Sequence, residues 1–286
     1  MKKLLVLFLT LSAGLLSART LPNGENITTH VVETEKMLVD AGSLTISGEG
    51  ALLEFNINSA PQYSLAMKGS SELLITNGGS LDMNSPSSSA GGIQLNTSSV
   101  MTIDSTAGEV YTDKVALASA KAVLNINKEN AMVSCSSGVP YVYLTLPSNA
   151  TVNLNASHAF RLDVRNGITP TIKFANGAVL SVMSWEYNGT SASLKLVDFV
   201  DNSIFFSTGD NDDYIYSYEE NVLTIKNGSS TKTISILNES GQAFEGLALH
   251  ATEGGYFLAA AVPEPAEWAM IFGALALGLA IYRRRK

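Results

Sequence analysis

Ser43-Leu-Thr-Ile-Ser47, a turn through Gly48 and Gly50, then Leu52-Leu-Glu-Phe55 form a phrase that returns 29 residues later. The second copy reads Glu72-Leu-Leu-Ile-Thr76, a turn through Gly78 and Gly79, then Leu81-Asp-Met83. Apolar and polar residues alternate in both, which is the period of a half-buried strand, and the glycines between them are turn signals. Working outward, the same short strands appear at Ser99-Val-Met-Thr-Ile-Asp104, Ala122-Val-Leu-Asn-Ile-Asn127, Ala150-Thr-Val-Asn-Leu-Asn155 and Pro170-Thr-Ile-Lys-Phe174. Matching residues recur with a similar spacing, broken by irregular insertions. Ile46 to Ile75 is 29 residues, Ile75 to Ile103 is 28, Ile103 to Ile126 is 23 and Ile126 to Leu154 is 28. A period in the twenties is that of a solenoid. One coil cannot bury its inward Leu, Ile and Val face alone, and stacking supplies the core. Ser, Thr and Asn then face water or form rows between coils.

The chain is therefore expected to be all-β, with no stretch of helical periodicity in the body; Val31–Met37 and Tyr111–Ala120 do not declare their type. Residues 19–185 are expected to form a right-handed parallel β-helix, the alternative being a β-sandwich. Beyond Trp185 the strands lengthen and become aromatic: Ser193-Leu-Lys-Leu-Val-Asp-Phe-Val200, Tyr214-Ile-Tyr-Ser-Tyr218 and Thr231-Lys-Thr-Ile-Ser-Ile-Leu237. Asn227-Gly228 between alternating strands is a hairpin signal. Residues 186–250 are expected to be an antiparallel cap covering the open end of the solenoid, and 251–262, with Gly254-Gly255 and Ala259-Ala-Ala261, a spacer. The body weakly resembles the passenger regions of autotransporter-type β-helical adhesins.

Both termini carry an address. Lys2-Lys3 followed by Leu4 to Leu16, with Ser17-Ala18 at the cleavage position, makes residues 1–18 a signal peptide, so export through the Sec translocon is expected. At the other end, Pro263-Glu264-Pro265 precedes an uncharged run from Trp268 to Tyr282 and the cations Arg283, Arg284, Arg285 and Lys286. Proline cannot sit inside the helix that follows, an all-apolar helix argues for lipid, and terminal cations hold the cytoplasmic side. Residues 268–282 are expected to be a transmembrane helix, with Trp268 and Tyr282 at the two interfaces. Fifteen residues span roughly 22 Å against about 30 Å of hydrocarbon, a marginal anchor suited to transient holding. Residues 263–286 resemble a PEP-CTERM sorting signal in motif, order and spacing. That resemblance implies recognition near Pro263, Glu264 and Pro265 by an exosortase, a transpeptidase-like membrane enzyme. The body would be periplasmic in the membrane-anchored precursor, then transferred to the cell surface or its polysaccharide matrix.

Composition narrows the chemistry. Without Lys2, Lys3 and the four terminal cations the body keeps 12 basic residues; without Glu264 and Glu267 it keeps 24 acidic ones, a balance of about −12. A nucleic-acid partner needs basic clusters and is excluded. The acidic surplus weakens attraction to anionic polymers unless cations bridge them. Cys135 is the single cysteine, so no intramolecular disulfide forms.

Catalytic, cofactor and metal motifs are not found. Gly209-Asp-Asn-Asp-Asp213, with Asp198, Asp201, Glu219 and Glu220 nearby, offers hard oxygen ligands. It does not fit an EF-hand, so a solvated loop is weighed against calcium. His30, His158 and His250 lack metal-ligand spacing. Ser134-Cys135-Ser136-Ser137-Gly138 is no nucleophile elbow. A β-helical polysaccharide lyase or hydrolase would need carboxylates in one groove; its candidates are Asp82, Asp104, Asp163 and Arg165. A carbohydrate-binding module would expose Trp185, Tyr214, Tyr216 and Tyr218. Asn-x-Ser/Thr sequons at Asn26, Asn96, Asn149, Asn155, Asn188, Asn227 and Asn238 are compositional in so polar a chain. The expected role is structural or adhesive and non-enzymatic, with extracellular polysaccharide as the candidate partner.

Overall fold

The computed structural model describes residues 18–21, 25–57, 63–83, 91–135, 141–175, 177–186, 188–209 and 213–261. They are all-β. Five successive coils contribute three short strands each. In chain order these are β1 (Arg19–Leu21), β2 (Glu25–Ile27) and β3 (His30–Glu33), then β4 (Met37–Asp40), β5 (Ser43–Ser47) and β6 (Leu52–Phe55). They continue as β7 (Leu65–Lys68), β8 (Glu72–Thr76) and β9 (Ser80–Asp82), then β10 (Gly92–Leu95), β11 (Val100–Ile103) and β12 (Val110–Tyr111), and lastly β13 (Lys114–Leu117), β14 (Val123–Ile126) and β15 (Met132–Val133). Three two-strand coils follow: β16 (Val142–Leu146) with β17 (Thr151–Leu154), β18 (His158–Val164) with β19 (Thr171–Phe174), and β20 (Leu180–Trp185) with β21 (Ser191–Val197). The last segment holds β22 (Ile204–Ser207), β23 (Ile215–Glu219), β24 (Val222–Asn227), β25 (Ser230–Leu237), β26 (Leu247–Thr252) and β27 (Gly255–Ala260).

Like strands of successive coils pair in parallel, giving two 11-stranded sheets and one 5-stranded sheet. This is a solenoid-like arrangement and not the β-sandwich weighed as the alternative. The repeat read from the sequence is the observed register: Ile46, Ile75, Ile103, Ile126 and Leu154 are consecutive partners along the second sheet. Leu44, Leu73, Met101, Leu124, Val152 and Ile172 make the neighbouring row. All of these side chains are buried, and each such aliphatic contributes about 1.5–3 kcal/mol by leaving water. Val31–Met37 and Tyr111–Ala120, ambiguous in sequence, supply parts of β3, β4, β12 and β13.

The third sheet stops at β15. Asn155, Ala156 and Ser157 are the whole connection between β17 and β18, too short for another strand. His158 closes the exposed edge instead: its Nε2 accepts the Met132 backbone N–H at 3.0 Å, its Nδ1 donates to the Ala159 carbonyl at 2.9 Å, and its ring stacks on Phe160 at 4.3 Å.

Two expected boundaries move. The antiparallel cap does not begin at residue 186, because β21 and β22 still pair in parallel with β19 and β20. It is built from β23–β24–β25 on the second sheet and from the β26–β27 hairpin on β22 of the first. Residues 251–262, expected as a spacer, are largely strand, running through the end of β26 and all of β27. Their small residues serve close packing: a Cβ on Gly255 would lie 2.1 Å from the Phe206 carbonyl oxygen. The signal peptide up to residue 17, Pro263, Glu264, Pro265, Trp268, Tyr282, Arg283, Arg284, Arg285 and the transmembrane helix 268–282 lie outside the described residues. Among the described residues no helix is long and apolar enough to cross a membrane.

Candidate functional site

Two outward surfaces of the coils carry organised polar groups. On the second sheet Thr102, Asn125 and Asn153 hold the same position in successive coils. Asn125 Nδ2 donates to Thr102 Oγ1 at 2.9 Å, and Asn153 Nδ2 donates to Asn125 Oδ1 at 2.7 Å. A parallel rung joins Asn155 Nδ2 to Asn127 Oδ1 at 2.7 Å. Nearer the N-terminus, Asn77 Nδ2 donates to Ser47 Oγ at 3.2 Å and the Asn77 backbone N–H to Thr106 Oγ1 at 2.9 Å. Each amide has two donors and an acceptor with two lone pairs, so a row that spends one of each per rung still offers hydrogen bonds outward.

The first sheet gathers charge. Lys114, Tyr143 and Arg161 are register partners on its outer face, and Ala116, Thr145 and Asp163 form the next row. Lys114 Nζ stands 5.6 Å from the ring centroid of Tyr63 and 4.9 Å from that of Tyr143, whose ring also has the Arg161 guanidinium at 5.3 Å. Arg161 binds Glu186 through one terminal nitrogen, while its Nε is buried without a partner. Asp163 is buried; its Oδ2 accepts from Asn188 Nδ2 at 3.1 Å and lies 3.8 Å from Arg165 Nε. Its Oδ1, like the neighbouring Thr145 Oγ1, has no hydrogen-bond partner. Burial, and then the Asp163 carboxylate, push the Tyr143 phenol up; burial lowers the Lys114 ammonium against the opposing pull of Asp163.

Behind this cluster sits Lys232, fully buried on β25. Its Nζ donates to the Val164 carbonyl at 2.6 Å and the Glu186 carbonyl at 3.0 Å, strand-end groups of two successive coils. Desolvation lowers its pKa, partly countered by Asp163. Lys232 pins the corner where the cap replaces a regular coil.

The residues singled out in the sequence fall in separate places. Asp163 and Arg165 come together; Asp82 lies on the third sheet, and Asp104 folds into its own turn, accepting from the Thr106 amide at 3.0 Å and hydroxyl at 2.7 Å. Those bonds, the Thr106 hydroxyl first, lower the Asp104 pKa. His30 meets Glu54 at 2.8 Å on the third sheet, and His250 meets the Ala260 carbonyl at 2.9 Å. Burial, reinforced by Asp113, pushes the Cys135 thiol up to about 12, which keeps it from acting as a thiolate near neutrality. Asp210, Asn211 and Asp212 of the acidic loop lie outside the described residues.

The aromatics that a binding module would expose turn inward. Trp185 Nε1 donates to the Tyr216 hydroxyl at 3.1 Å, which donates to the Ser207 carbonyl at 2.8 Å; the Tyr214 hydroxyl accepts the Trp185 amide at 3.2 Å. Trp185 and Tyr216 also stack on Phe206 and plug the end of the core. Burial pushes the Tyr218 phenol up to about 12.

Sequence reasoning missed Lys114, Tyr143, Arg161 and Lys232 because no motif joins them. They become neighbours only through coil steps of 29 residues from Lys114 to Tyr143 and 18 from Tyr143 to Arg161. Comparisons with family models, curated proteins and solved structures find no match for this chain.

Proposed function

We propose that this chain is an exported bacterial surface or extracellular-matrix protein with a structural or adhesive role. Its body is a right-handed parallel β-helix, delivered through the Sec translocon and held by the C-terminal helix in membrane lipid. An exosortase-type enzyme then processes it near Pro263-Glu264-Pro265. The observation that carries the adhesive reading is the outward polar row Thr102–Asn125–Asn153, with its parallel rung Asn127–Asn155, on a stack of coils. Such a surface suits many weak hydrogen bonds to a hydroxylated polymer. The sorting half rests on the residues of the two termini alone.

The test is intact-mass analysis of the protein from native cells, separated into inner-membrane, outer-envelope and released fractions. Loss of the segment after Pro263-Glu264-Pro265, with the body in the outer or released fraction, supports sorting. A full-length mass confined to the inner membrane sinks it and leaves an anchored periplasmic protein.

A further inference from the structure

The body carries 24 acidic residues against 12 basic ones, yet Lys114, Arg161, Arg165 and Lys232 collect around Asp163 and Glu186. Lys232 is buried behind them on two backbone carbonyls, so three cations against two carboxylates leave the outer face of β13, β16 and β18 locally positive within a negative molecule. Lys114 lies there against the rings of Tyr63 and Tyr143, whose electron-rich faces attract its cationic form. Two acceptors on the floor of the same face, Asp163 Oδ1 and Thr145 Oγ1, are buried without a partner, an arrangement that proteins rarely leave unfilled.

We propose that this face binds a carboxylate-bearing sugar chain, a polyuronate. Lys114 and Arg165 take the carboxylate, while Asp163 and Thr145 accept from ring hydroxyls. The two demands select the ligand together. Excess cations call for an anion, and Arg165 offers the planar fork that fits a carboxylate. The unfilled acceptors call for O–H donors a few ångströms away. A uronic acid carries both on one ring, whereas a sulfate supplies no hydroxyl and a phosphate carries its O–H on the same centre as its charge, which would be pressed against Asp163. Asn188 is exposed; its Nδ2 spans Asp163 Oδ2 at 3.1 Å and the Tyr143 hydroxyl at 3.5 Å, and in this proposal the ligand displaces that amide to reach the buried Asp163. The overall acidity of the body makes the site selective: binding depends on these few cations and not on a diffuse field.

This inference rests on the adhesive reading and names its ligand. Its test uses the purified full-length protein, with polygalacturonate as probe, dextran as the neutral control and inorganic phosphate as competitor. Polygalacturonate should bind, dextran should not compete for this face, and phosphate should not displace the polymer. Lys114→Gln with Arg165→Gln should weaken binding by roughly tenfold or more, the scale of two charge-assisted contacts. Lys121→Gln with Lys226→Gln, which removes the same charge from exposed positions elsewhere, should leave it unchanged. If the first pair alters the thermal transition, Asn188→Asp places a negative charge at the rim and should give the same loss. Equal weakening by both pairs, displacement by phosphate, or no binding of polygalacturonate overturns the proposal. Failure here with correct processing in cells removes the ligand alone; binding here without processing removes the sorting route alone.

Discussion

At neutral pH the His158 imidazole is uncharged, with its proton on Nδ1, because Nε2 must accept from Met132 N–H. Burial holds its pKa at about 4, down from 6.5. The unfolded chain therefore binds this proton first as pH falls, and stability is lost between pH 6.5 and about 4, being fully present above that window. The shift corresponds to about 3 kcal/mol. Chemical denaturation from pH 7 to pH 4 should show that loss, and His158→Gln, which can still accept from Met132, should flatten it; an unchanged slope in the variant would place the acid sensitivity elsewhere. Lys232 gives a second test. Lys232→Ala strands the Val164 and Glu186 carbonyls and empties a buried site, at a cost of about 3 kcal/mol or more. Lys232→Met, which keeps the stem, should recover part of it in the same denaturation assay. Neither role was legible in the sequence. A lone histidine and a lysine in an alternating strand reveal nothing until the neighbouring coils show which backbone groups lack a partner.

Elements were more legible where one side-chain period was repeated by the next coil. The alternation in β5, β8, β11, β14 and β17 fixes which residues face inward, and a one-residue slip would turn the whole set outward, so the 23- to 29-residue steps became the register. The ending of the third sheet was not legible, because the counted residues all belong to the second sheet, which continues past it. The supposed spacer was misread because glycine and alanine mark flexible linkers and close backbone approach alike; at Gly255 the approach decides. Gly79 obeys the same rule at a coil corner, where a Cβ would stand 2.3 Å from the Ile46 carbonyl oxygen. Gly79→Ala should therefore cost about 3 kcal/mol or more, because the crowding atoms are backbone. Gly177→Ala, with open space around its Cβ but φ at +70°, should cost about 1 kcal/mol from backbone strain alone. Thermal unfolding of the two variants separates steric from dihedral cost, and equal losses would contradict the crowded corner.

A stack of coils gains stability from interfaces between neighbours, so its ends decide whether it stays a single soluble body. The C-terminal end is closed twice. β23–β24–β25 folds back on the second sheet, and β27, backed by β26, pairs antiparallel with β22 on the first. Trp185, Phe206 and Tyr216 fill the space between them. Ending the body at Leu237 would remove the β26–β27 hairpin and bare the backbone edge of β22, a template for pairing with another chain. The upstream coils keep their own parallel partners, so far-ultraviolet circular dichroism should retain its β signal while light scattering reports association at micromolar concentration. The same truncation with Phe205→Lys, a charge on the outward face of the bared strand, should restore the monomer. A truncated body that remains monomeric with an unchanged thermal midpoint would mean that the hairpin is an appendage and that the aromatic plug alone closes the core.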